Sequence, residues 1–324
     1  MRVLITRAKG CVALYIVADL LAAGGYQLVL AVRNPARLPP AIVGRPCVRM
    51  VVGDLRDLAR REAVVAGIDA AILVATSWGP DADAVIRAAS LALADRLIAA
   101  GCGHVIQFST ASVLRGDGPA LPVAVQHGTP YIRAKAELTA GITARAGPGR
   151  ANHGAVSDAG GGCRPEQGRA AAVASGTAFA AVAPYIGLVR FLSAGARFLL
   201  IHAADIATVT RHLLARPTEG GLRLVPGNPA QSLEETLTAA ARHLGTRRRR
   251  VLALRPWLAE VLILVRRIRL SPWDRWCRDH PDQSCADPVN PAPFGLPVRM
   301  PETGTALALV GVAAVRRGTT GPPR

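Results

Sequence analysis

The chain has 324 residues, 50% of them hydrophobic and 19% charged, with a formal net charge of +17. That composition excludes wholesale disorder and suffices to bury a full α/β core, as one domain with an appended lobe. The positive balance suits a phosphate-bearing partner, whether dinucleotide, nucleotide sugar, nucleic acid or anionic lipid, and does not choose among them.

The sequence starts directly on a strand-like Val3-Leu4-Ile5-Thr6, without the charged start, apolar centre and small-residue cleavage site of a secretory leader. Ala13, Ile16, Val17, Leu20 and Leu21 then recur at helical spacing until Gly24-Gly25 stops them, and Gln27 to Val32 reads as a second strand. Val48 to Val52, Ala70 to Ala75 and His104 to Ser109 continue the series, with a long helix predicted over Asp81 to Ala100. Alternating strand and helix signals mark βαβ units. Five parallel strands are therefore expected before residue 110, in a Rossmann-type doubly wound sheet with a smaller C-terminal substrate lobe.

From Ala144 to Thr177 Gly, Ala, Arg and Pro dominate, no strand of useful length can be read, and a poorly ordered stretch is expected. Order should return with Ala178 to Ser193, then a short strand over Phe198 to His202, a helix to Leu214 with Asp205 expected as its cap, and another helix over Glu234 to Leu244. Residues 281 to 302 read as proline-rich wrapping. The division is thus a dinucleotide-binding core over 1–143, the Gly/Ala-rich 144–177, and remaining core elements with the lobe over 178–324.

The arginine run Arg247 to Arg250 has no interleaved aromatic residues to stack on bases, so no nucleic-acid partner is expected. Trp257 to Leu270 reads as a core or lobe helix, and no stretch is long and apolar enough to span a membrane. Six cysteines show no Cys-x-x-Cys pair and no zinc spacing, so they read as small apolar residues in a reduced, cytoplasmic setting, with no metal site.

Three places carry chemistry. Thr6-Arg7-Ala8-Lys9-Gly10-Cys11-Val12-Ala13 sits between the first strand and helix, where a pyrophosphate meets a helix N-terminus. Gly10 permits close backbone approach, whereas Arg7 stands at the tight-turn position and brings a strain of about 1–3 kcal/mol. Asp54 and Leu55 close the third strand, where adenine would be met, and Ala75 closes the fourth. The second strand ends on Arg33, not an acid; with Arg37 nearby this favours the extra phosphate of NADP over the ribose hydroxyls of NAD, the second choice.

The fifth strand runs into Ser109-Thr110, and Tyr131 follows with Lys135 four residues on, on one helical face. Of thirty-nine basic residues only Lys9 and Lys135 are lysines, and only four tyrosines occur, so about 0.02 chance Tyr-x-x-x-Lys spacings are expected. A compact ammonium beside a phenol reads as an acid/base device.

With Thr110 upstream of Tyr131 and Lys135, the chain resembles the extended short-chain dehydrogenase/reductase family, also called the NAD-dependent epimerase/dehydratase family, over residues 1 to about 140 and loosely through Leu200 to Asp205. The resemblance implies Tyr131 as proton donor or acceptor, Lys135 as its electrostatic helper and ribose ligand, and Thr110 as the carbonyl-orienting hydroxyl. It implies cofactor contacts from Thr6, Arg7, Gly10, Cys11, Val12, Arg33, Asp54, Leu55, Ala75 and Lys135, a small-molecule substrate, and is compatible with a homodimer. Oxidoreductase and epimerase/dehydratase activities use this same set, and a non-catalytic cofactor-binding sensor is the alternative. Departures from the family are Arg7 for a glycine, Leu114 for an aromatic residue, and a missing strand near 155 to 163, with Cys163-Arg164-Pro165 standing for its Leu-Arg-Pro turn.

Overall fold

The computed structural model describes residues 1–114, 121–145, 151–156, 192–193, 197–217, 221–243, 245, 252–253, 270–282, 284–285 and 287–300. Its centre is a parallel sheet whose first strands are β1 (Arg2–Thr6), β2 (Gln27–Val32), β3 (Val48–Val52), β4 (Ala70–Leu73) and β5 (His104–Ser109). A sixth, β6 (Ala151–Val156), joins beyond β5, followed by strands at Leu222–Pro226 and Pro288–Val289. From one edge to the other the order is Pro288–Val289, Leu222–Pro226, β6, β5, β4, β1, β2, β3. The chain leaves β1 toward β2 and β3, then returns to the other side of β1 with β4. A topological switch point therefore lies between β1 and β4, the crevice where ligands bind in such sheets.

The runs form strands because both of their faces are covered. Val3, Leu4 and Ile5 of β1 are fully buried, and Ala70, Ala71 and Ile72 of β4 likewise. Sheets flanked on two sides read as continuous apolar runs, and each buried aliphatic side chain contributes about 1.5–3 kcal/mol. One face is covered by the Cys11–Ala23 helix, whose Val12, Ile16, Val17 and Leu20 pack with Ile206, Val209 and Leu213 of the Ala203–Ala215 helix. Arg211 and Asp19 tie these two helices at 2.7 Å. The opposite face is covered by Ala89–Ala99 and Pro130–Ala144.

The core departs from the sequence reading in four places. Residues 151–156, read as part of a strandless stretch, form β6, paired with β5 on one side and Leu222–Pro226 on the other. Neighbouring strands supply backbone partners on both sides and order a segment whose own residues are weak strand formers. The helix read as Asp81 to Ala100 is π-helical over Asp83–Ala88 before it becomes α-helical over Ala89–Ala99. The strand read as Phe198 to His202 shrinks to Arg197–Phe198, because His202 turns the chain as N-cap of the next helix, its Nδ1 accepting from Ala204 N. Asp205 does not cap that helix: its carboxylate accepts from Arg299 N at 2.6 Å and Met300 N at 3.2 Å.

Helix Leu233–His243 matches its expected span within one residue at each end. Readings for 157–191, Arg247 to Arg250 and most of Trp257 to Leu270, including Cys163-Arg164-Pro165, lie outside the described residues. Among the described residues no helix is long and apolar enough to cross a membrane, and no cluster of acidic, His and Cys side chains could hold a metal ion.

Candidate active site

The ends of β1, β2, β3 and β4 surround an open cleft lined by Arg7, Lys9, Arg33, Asp54, Leu55, Ala75 and Thr76, among others. Arg7 follows β1 directly and has φ +49°, the one non-glycine residue with positive φ among those described. Its carbonyl accepts from Gly10 N at 2.8 Å, which closes the turn, and a Cβ on Gly10 would lie 3.3 Å from that oxygen. The helix then starts at Cys11 with neither a side-chain cap nor an acidic residue in its first turn. Its first N–H groups therefore keep an uncompensated positive dipole end, close in sequence to the cleft residues Arg7 and Lys9.

Charge in the cleft is one-sided. Burial, then Arg37, Arg33 and Arg7, hold the Lys9 ammonium below its usual range. Burial, then Arg33, lower Arg7, while Tyr131 acts in the opposite sense. Asp54 N-caps the Leu55–Leu58 turn and pairs with Arg56 at 2.8 Å, a contact that lowers its pKa. Asp81 also faces Arg56, at 3.9 Å. The carboxylates of the rim are thus directed at Arg56 and not at the cations across the cleft.

Tyr131 and Lys135 sit in the first turns of the Pro130–Ala144 helix, which Thr129 caps by accepting from Ile132 N at 3.3 Å. Lys135 is 2% exposed, and its Nζ donates to Phe108 O at 2.7 Å and Ala75 O at 3.1 Å. The ammonium therefore stitches the ends of β5 and β4 together below the helix. Burial first, with Arg7 adding to it, pushes its pKa down to about 7. Tyr131, half-buried, stacks on Trp78 with ring centroids 4.2 Å apart and planes 20° from parallel. Thr110 is buried at the end of β5, its hydroxyl 3.4 Å from both Ser112 N and Ser112 Oγ.

Of the residues named from the sequence, Arg7, Arg33, Asp54, Leu55 and Ala75 line the cleft together. Thr110, Tyr131 and Lys135 group at the ends of β4 and β5. Thr6 does structural work: its hydroxyl accepts from Val74 N at 2.8 Å and donates to Ile72 O at 3.4 Å, pinning β1 to β4. Val12 is packed in the core and offers backbone only. Cys11 is disulfide-bonded, against the reading of all six cysteines as reduced, because no Cys-x-x-Cys spacing announces the pairing, whereas Cys47, Cys102, Cys277 and Cys285 are not in disulfides. Sequence reasoning passed over Trp78, Thr76 and the place of Lys9 in the cleft. A lone tryptophan at the carboxyl end of a strand was the available signal for Trp78.

Residues 8–146 match the family model described as NAD(P)H-binding. No curated protein matches the chain. Among solved structures, a dTDP-glucose 4,6-dehydratase from Bacillus anthracis in complex with NAD superposes with a TM-score of 0.64 at 12% identity, over 96% of each chain. A human epimerase family protein with NADPH gives 0.64 at 19% identity, over 97% of this chain and 99% of that one. The dTDP-glucose 4,6-dehydratase from Streptomyces venezuelae, with NAD bound, gives 0.56 at 21% identity, over 78% and 84%. Residues 8–146 are thus similar to an NAD(P)H-binding domain, and the chain shares its fold with these dehydratase and epimerase-family structures.

Proposed function

We propose that the protein binds NADP(H) in the cleft at the ends of β1 to β4 and carries out reversible hydride transfer at a carbonyl or hydroxyl carbon of a small metabolite or nucleotide sugar. The observation that carries this reading is Lys135, buried beneath Tyr131's helix and bonded to the carbonyls that end β4 and β5. A charged side chain is placed at such depth only where its partners repay the desolvation. In this reading Tyr131 donates or accepts the proton at the substrate oxygen, and Thr110 shares that oxygen by hydrogen bond. An unperturbed phenol holds its proton to about pH 10, so Tyr131 needs cationic neighbours to work near neutrality. Arg7 is such a neighbour, and Lys135 stands one helical turn beyond Tyr131 with its ammonium on the Ala75 and Phe108 carbonyls. The cofactor contributes the hydride, and the protein contributes orientation and charge.

The residues present fit NADP better than NAD. No acid ends β2 to take a ribose diol; Arg33 stands there, exposed, with Lys9 and Arg37 close enough to repel one another. A 2′-phosphate relieves that repulsion. Fluorescence titration with NADPH and NADH tests the preference: tighter NADPH binding is expected, lost in Arg33→Ala, and equal affinities in the unaltered protein would remove the role of Arg33. Tyr131→Phe is expected to abolish reduction of every substrate in a carbonyl panel with NADPH affinity kept, and retained turnover would reject the acid/base assignment.

A second reading, a cofactor-binding sensor without turnover, draws support from the arginine at the loop's glycine position and from Trp78 lying on Tyr131. NADPH binding with no hydride transfer across the panel favours it.

A further inference from the structure

Arg7 crosses the crevice that a dinucleotide occupies. Its backbone belongs to the loop after β1, and its Nη1 donates at 2.9 Å to Thr76 O in the loop after β4. β1 and β4 are adjacent strands, and the switch point lies between them. The side chain therefore bridges the two lips of the binding crevice.

The backbone conformation makes this position costly. An L-residue at φ +49° pays about 1–3 kcal/mol that a glycine would not, and such strain persists where the side chain does something a glycine cannot. A guanidinium carries five N–H donors in a planar fork, and the Thr76 carbonyl takes one of them. Arg33 and Lys135 both interact electrostatically with it, Lys9 and Arg33 line the same cleft, and Asp54 and Asp81 pair with Arg56. A partly desolvated fork among cations, beside an uncapped helix start, is a site awaiting adjacent anionic oxygens.

We propose that Arg7 is the diphosphate clamp of this cleft: its guanidinium, steadied across the crevice by Thr76, bonds the two bridging phosphates of the dinucleotide. The side chain does here what a glycine turn does elsewhere with its backbone alone. The inference rests on the dinucleotide reading above and adds to it a residue that selects ligands by their phosphate bridge.

The test measures dissociation constants of NADPH, ADP and 2′-AMP for the unaltered protein, Arg7→Gly and Arg7→Lys. Arg7→Gly removes the positive-φ strain, so its thermal midpoint is expected to hold or rise, and any loss of binding is then not a loss of fold. NADPH and ADP, which carry the diphosphate, are expected to bind Arg7→Gly about tenfold more weakly or worse. The affinity of 2′-AMP, which lacks the bridge, is expected to stay unchanged. Arg7→Lys keeps the charge without the fork and is expected to fall between. Equal or tighter NADPH binding by Arg7→Gly would show that Arg7 obstructs the crevice and would overturn the proposal, as would equal weakening of all three ligands. If the unaltered protein binds none of them, the dinucleotide reading itself falls and the clamp with it.

Discussion

Trp78 lies face to face with Tyr131, centroids 4.2 Å apart, while 64% of its own surface remains open to solvent. An aromatic pair of this kind contributes about 0.5–1.5 kcal/mol beyond simple burial. Here it fixes the plane of the ring whose hydroxyl is assigned the proton transfer. Trp78→Ala is therefore expected to lower kcat by about twofold to tenfold with little change in the thermal midpoint. A steady-state assay beside a melting curve checks this; an unchanged kcat would mean that the stack does not hold Tyr131 for catalysis.

Lys135 makes stability depend on pH in an unusual direction. The unfolded chain keeps this proton until about pH 10.5, the folded protein only until about 7, where burial depresses it. Between those values the unfolded state binds more protons, so the Lys135 contribution to stability rises as pH rises. Urea unfolding of the unaltered protein and Lys135→Met across that interval should give curves whose difference grows with pH in favour of the unaltered protein. Parallel curves would show that the ammonium is not depressed.

The same depression predicts proton uptake on ligand binding. A polyanion entering the cleft near Arg7 and Lys135 restores charge to the buried amine. Calorimetry of NADPH binding near neutral pH, in buffers of different ionisation enthalpy, should report net protons taken up, and Lys135→Met should take up fewer. The result opposing this is a buffer-independent heat.

Asp205 closes the structure at long range. Its two oxygens take the amides of Arg299 and Met300, and Asn228 Nδ2 donates to Met300 O at 2.5 Å. Asp205→Ala leaves two N–H groups without their acceptor and is expected to cost about 2–4 kcal/mol. A denaturation midpoint measures it, and a change below about 0.5 kcal/mol would mean that the segment is held by other contacts.

Much of the first half was legible because its central strands are covered on both faces, as in the apolar run of Gln27–Val32. Val48–Val52 at the sheet edge and His104–Ser109, interrupted by Arg49 and Gln107, still fall where their aliphatic residues predicted them. The Tyr131 and Lys135 pair was legible because helical spacing alone puts both on one face. What escaped were features set by distant partners. Nothing in Ala-Asn-His-Gly-Ala-Val announces β6; β5 and Leu222–Pro226 impose it. Arg7 was readable as a strained glycine replacement, but its reach to Thr76 depends on β1 lying next to β4, 69 positions away in sequence. Trp78 over Tyr131 is a contact between the loop after β4 and the first turn of the Pro130–Ala144 helix that no local pattern encodes.

The position of β6 also bears on how the chain can fail. Until residues 151–156 dock, β5 presents a row of unpaired amides and carbonyls along its outer edge. Open strand rims of this kind recruit copies of themselves. A nascent or clipped chain ending near residue 145 is thus expected to self-associate through that rim, which the six residues of β6 otherwise close.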